Sequence, residues 1–103
     1  MNFSVRDEVE DELLEAAAWY EARGAGLGIE FINAVERAYD LIRAHPCRYS
    51  HPPNWRSRLD VRRFLLERFS YAITYLNVGE RIVILAISHT ARRPGYWRKR
   101  LRE

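Results

Sequence analysis

The stretch Phe69-Ser70-Tyr71-Ala72-Ile73-Thr74-Tyr75-Leu76-Asn77-Val78-Gly79-Glu80-Arg81-Ile82-Val83-Ile84-Leu85-Ala86-Ile87 decides the fold class. Phe69, Tyr71, Ile73 and Tyr75 alternate with Ser70, Ala72, Thr74 and Leu76, the period of two that a strand imposes on its side chains. Asn77-Val78-Gly79-Glu80 has the make-up of a hairpin turn, with Gly79 where a positive φ is needed. The run Ile82 to Ile87 then returns without alternation, which predicts a central strand covered on both faces. Just upstream, Arg62, Phe64 and Leu66 alternate with Arg63 and Leu65 and add a third strand to an antiparallel meander.

Further upstream the period changes to that of a helix. Val9, Leu13, Ala16, Ala17 and Tyr20 form one apolar stripe, while Glu8, Asp11, Glu12 and Glu15 are expected largely on other faces. Ser4 and Asp7 are candidate N-caps, and Asp7 with Glu10 has capping-box spacing. Arg23-Gly24 closes the helix. Phe31, Ile32, Val35, Ala38, Tyr39 and Ile42 mark a second helix, which His45-Pro46 ends because a residue before proline avoids the helical region. Trp19 and Tyr20 are expected to pack in the core or between the helices. A short strand at Asn2–Val5 fits ahead of the first helix. Arg92 to Arg102 fits either a short helix or a loose tail.

The fold class is therefore α+β, an N-terminal αα-hairpin packed on one face of a small, mainly antiparallel sheet. The 103 residues suit one domain. Its parts are an acidic helical hairpin (1–45), a loop holding three prolines (46–60), a β-meander (61–90) and a basic tail (91–103).

The net charge of +3 conceals a division. Residues 1–40 hold ten acids against three bases, and residues 41–103 hold four acids against fourteen bases. Sixteen of the seventeen bases are Arg, whose planar fork suits phosphate and carboxylate. With helices on one sheet face, the arginines are expected on the other face or its rim. The lone Cys47 excludes an internal disulfide. His45, Cys47 and His51 lack a nearby carboxylate before Asp60, so neither a metal nor a cofactor is expected. The opening residues do not resemble a signal peptide, and no apolar run approaches the ~20 residues of a membrane span. A cytoplasmic protein with no membrane partner is expected.

Three basic constellations bear on function. Arg62 and Arg63 point to opposite strand faces and, with Arg68 and Arg81, either contact a partner or charge an edge strand against sheet pairing. His89, Arg92, Arg93 and Tyr96 contain the group types of a metal-independent nuclease: a base, a phosphate-holding cation and a proton carrier. The structural alternative is that His89 caps the strand while Tyr96 and Trp97 pack the tail onto the core. Arg98, Lys99, Arg100 and Arg102 follow those aromatics, a mixture suited to single-stranded nucleic acid or to an acidic segment that folds on binding, or simply a solvated tail.

Several segments together resemble one family. Ala16-Ala17-Ala18-Trp19-Tyr20-Glu21, Gly26-Leu27-Gly28 with Phe31, Arg62-Arg63-Phe64-Leu65-Leu66 with Arg68-Phe69-Ser70-Tyr71-Ala72-Ile73, and Leu85-Ala86-Ile87-Ser88-His89 with Arg92-Arg93-Pro94-Gly95-Tyr96-Trp97 resemble the RelE/ParE-type toxins of bacterial toxin–antitoxin modules, in register along nearly the whole chain. The ParE-like, plasmid-stabilisation branch is the more similar. The resemblance implies a β-α-α-β-β-β order on a curved sheet, a cognate antitoxin that wraps the toxin, and DNA gyrase as a target blocked by binding. It makes Arg62, Arg63, Arg68, Arg92, Arg93, Trp97 and Arg98 the expected target or antitoxin contacts. Two alternatives remain at this point: a ribosome-dependent mRNA endonuclease using His89, Arg93 and Tyr96, and a remnant that only binds antitoxin. The middle strands have almost none of the lysines that such RNA cleavers often use.

Overall fold

The aliphatic run 82–87 lies inside the central strand of the sheet, and its position organises everything else. In the computed structural model, which describes residues 2–101, the elements run β1 (Asn2–Val5), α1 (Asp7–Arg23), α2 (Leu27–Ala44), β2 (Val61–Leu65), β3 (Tyr71–Val78), β4 (Arg81–His89) and a C-terminal 3-10 turn (Tyr96–Arg100). Met1, Arg102 and Glu103 lie outside the described residues, so the Arg102 part of the basic tail does too. The sheet order is β1-β4-β3-β2. β1 pairs parallel with β4, and β4-β3-β2 is the antiparallel meander. Gly79 turns the β3–β4 hairpin at φ +59°.

Both faces of β4 are covered, which is why it carries no polar alternation. Ile82, Ile84 and Ile87 face the helices, packing with Val9, Ala16, Ala17, Phe31, Val35, Ala38 and Ile42. Val83, Leu85 and Ala86 face the opposite layer, with Val61, Leu76 and Trp97. A bulge makes this possible. Thr74 pairs with Ala86 and Tyr75 with Ile84, so Leu85 has no partner opposite, and Leu85 and Ala86 turn to the same side.

The helix pair is joined by backbone as well as by packing. The Glu21 carboxylate of α1 accepts hydrogen bonds from the Gly26 and Gly28 amides, at 3.1 and 3.0 Å, and so satisfies the start of α2. Those bonds hold its pKa below the ordinary carboxylate range. At Gly28 the helices approach so closely that a Cβ would lie 2.8 Å from the Ala17 carbonyl oxygen.

Several expectations need correction. The N-cap of α1 is Arg6, with extended backbone and no side-chain cap, and Asp7 is the first helical residue. Asp7, Glu8 and Glu10 instead favour the positive helix end through charge. Trp19 is not core: it is 50% exposed, edge-on to Tyr20 and beneath the Arg23 guanidinium at 3.5 Å. One residue around the helix from the Ala16–Tyr20 stripe is enough to bring it to the surface. Of the two places expected for the arginines, the sheet face away from the helices is not one. Trp97 and Leu101 of the tail and Trp55 of the 46–60 loop cover it, with the Trp55 and Trp97 rings 5.6 Å apart. The arginines are left at the rims.

Because the atom a Gly28 side chain would strike is backbone, Gly28→Ala is expected to lower stability by about 1–3 kcal/mol, read from the urea midpoint at unchanged slope.

Candidate binding surface

Glu12 occupies α1 three residues after Val9 and four before Ala16, positions that lie on the buried stripe rather than on a solvent face. Its side chain is only 11% exposed, against the expectation drawn from the acidic run. The carboxylate takes three hydrogen bonds: from the Ile87 amide at 3.0 Å, the Tyr96 hydroxyl at 2.6 Å and the Arg100 guanidinium at 3.1 Å. Arg100, itself 7% exposed, also donates to the Leu85 carbonyl at 2.9 Å. One carboxylate thus ties α1 to the bulged part of β4 and to the 3-10 turn. A cation and a hydroxyl from the tail make its burial tolerable.

Tyr96 has no freedom here. Its ring lies under Arg92 at 3.6 Å, with the Arg100 guanidinium at 5.1 Å. Burial, the Glu12 hydrogen bond and the Glu12 charge push its hydroxyl up to about 12. A hydroxyl so held stays protonated near neutral pH. His89, at the end of β4, is exposed, with its ring edge-on to Tyr71 at 5.4 Å and its Nδ1 accepting from the Ala91 amide. His89, Arg93 and Tyr96 do line one cleft, the first two exposed and Tyr96 half-buried with its hydroxyl bonded to Glu12.

The predicted contact arginines fall into two groups. Arg62 is structural: it pairs with Asp60 at 3.0 Å and donates to the Cys47 and Tyr49 carbonyls at 3.0 and 2.7 Å. Arg68 pairs with Glu30 and lies 5.1 Å over Phe69. Arg98 lies 4.9 Å over Trp55, and Trp97 is buried against the sheet face away from the helices. Arg63, Arg92 and Arg93 line one cleft of about 70 Å³ with no acidic residue in its wall. Within it Arg92 is 4.0 Å from Glu12, whereas the Arg63 and Arg93 guanidinium groups have no hydrogen-bonding or ionic partner among the described residues.

The 46–60 loop is held by its own contacts. His51 meets the Val61 carbonyl at 2.8 Å, and Asn77 reaches the exposed Cys47 thiol at 3.5 Å. No cluster of three metal-ligand side chains occurs among the described residues. Among them, too, no helix is long and apolar enough to cross a membrane. A separate apolar groove of about 420 Å³ runs between α2 and the edge strand β2, with Leu41 and Leu65 exposed along it and Arg37 and Arg68 at its border.

The fold and surface define a small α+β module that presents arginines from a rigid rim. Residues 3–94 match the family model described as the ParE toxin of the type II toxin–antitoxin system, parDE, and the chain belongs to that family. A solved structure titled as the chromosomal ParDE toxin–antitoxin system from P. aeruginosa superposes with a TM-score of 0.61 at 17% identity, covering 86% of this chain and 95% of that one. It supports the fold. No curated protein matches.

Two measurements check the Glu12 cluster. Glu12→Ala leaves Arg100 buried without its anion and is expected to cost about 3–5 kcal/mol of stability. Tyr96 stays neutral in the fold after an unfolded tyrosine ionises, so its contribution is complete below about pH 10. That contribution is then lost as the pH rises towards 12. Tyr96→Phe is expected to flatten the loss of stability across that window, followed by absorbance titration and alkaline unfolding.

Proposed function

We propose that this chain is a toxin that acts in the cytoplasm by binding DNA gyrase, and that a cognate antitoxin neutralises it. One observation carries the choice of binding over chemistry. The open cationic cleft offers Arg63, Arg92 and Arg93, while Tyr96, the proton carrier that cleavage would call on, is fixed to Glu12. The unpaired Arg63 and Arg93 guanidiniums suit the carboxylates or phosphates of a large target.

The antitoxin's apolar anchor is assigned to the α2–β2 groove. Leu41 and Leu65 are 43% and 54% exposed along it, and Arg37 offers an acidic antitoxin segment a charge to meet. Neutralisation and target binding then use separate surfaces.

Purified chain is expected to inhibit gyrase supercoiling while leaving message intact in a translating extract. Arg63→Ala with Arg93→Ala should weaken inhibition at least ~10-fold, as loss of two charge-assisted contacts implies. Leu65→Asp should leave inhibition in place but release it from the antitoxin. Codon-phased cleavage abolished by His89→Ala would establish the nuclease reading instead. Antitoxin binding without any growth effect would establish the remnant.

A further inference from the structure

A second cleft, about 320 Å³, opens between α1 and the ends of β3 and β4. Its walls include the Trp19 indole on one side and Tyr71 and His89 on the other, with Arg92 and Glu15 also in the lining. That volume is at the lower end of ligand clefts, roughly 300–1,000 Å³, and the walls are planar rings. Trp19 is half exposed, with the Arg23 guanidinium over its ring and Tyr20 at its edge. Glu15 has no hydrogen-bonding or ionic partner among the described residues and is free to accept. Glu12, the other acid in the wall, is already satisfied by its three donors.

This aromatic cleft lies on the helix side of the sheet and adjoins the arginine cleft on the other side around the end of β4, where Ser88, His89 and Arg92 line both. One compartment accepts a flat ring with donor groups at its edge. The adjoining compartment is small, cationic and free of acids, the character of a phosphate site. We propose that together they bind one nucleotide unit of a single-stranded nucleic acid, with the base between Trp19 and the Tyr71–His89 pair and the phosphate at Arg63, Arg92 and Arg93. A duplex keeps its bases stacked and cannot fill the first compartment. The site shares its arginines with the proposed gyrase surface but stands on the aromatic cleft. It is tested with the chain alone, so its failure leaves gyrase inhibition unaffected.

The test is fluorescence anisotropy of the full chain with a labelled mixed-sequence single strand, its abasic counterpart and the matching duplex. Trp19→Ala should weaken binding to the natural strand by about 5- to 100-fold, the range of one lost stacking contact, and leave the abasic strand unchanged. Trp19→Phe should retain most of the affinity. Arg63→Ala and Arg93→Ala should each lower the salt slope by about 0.7. Circular dichroism confirms that the variants fold, and Trp19 lies outside the buried core. Equal affinity for natural and abasic strands, a silent Trp19→Ala, a duplex bound as tightly, or equal binding to heparin would each overturn the proposal in favour of a plain polyanion surface. A mononucleotide binding as tightly as the strand would overturn the strand as occupant.

Discussion

A carboxylate that gives up water must find its partners inside the protein, and the placement of the C-terminal segment follows from how Glu12 does so. Three donors reach it from three places: the backbone of β4, a tail hydroxyl and a tail guanidinium. None of the three is adjacent to Glu12 in sequence. Unpaired, a buried charge costs several kcal/mol, so the tail cannot leave without depriving Glu12 of two of its three donors. The electrostatic requirement and the apolar one point the same way, because the turn that brings Arg100 to Glu12 also lays Trp97 over Val83, Leu85 and Ala86.

This arrangement sorts the arginines. Those that hold the molecule together have identifiable anions or carbonyls: Arg100 with Glu12, Arg62 with Asp60 and the loop backbone, Arg68 with Glu30. Arg63 and Arg93 have none among the described residues and face one cleft. Among the arginines expected to make contacts, those without an internal ionic partner thus include two that share one cleft wall. The bulge contributes by turning Leu85 and Ala86 together towards the tryptophans, which lets the tail cover the sheet.

Much of the fold was legible in the sequence. The period of two in 71–78, the aliphatic run of 82–87 and the two helical stripes correspond to β3, β4, α1 and α2. These signals survive because they reflect burial, which the whole fold enforces. What was not legible depended on long-range pairing. Glu12 was grouped with the solvent-facing acids because its partners are 75 to 88 residues away. Its spacing to Val9 and Ala16 was the one local clue. For Trp97 the sequence leaves contact and core packing both open, and the structure shows packing, because nothing near it announces that Trp55 will cover the same sheet face. Among the basic residues, composition identified the basic half of the chain but not which guanidiniums are open.

The most direct test of this account is amide hydrogen exchange in the chain and in Glu12→Ala. If Glu12 is the tie, the Ile87 amide and the amides of residues 96–101 lose protection together, and by more than the amides of α2. Faster exchange at Ile87 alone, with residues 96–101 protected as before, would contradict it.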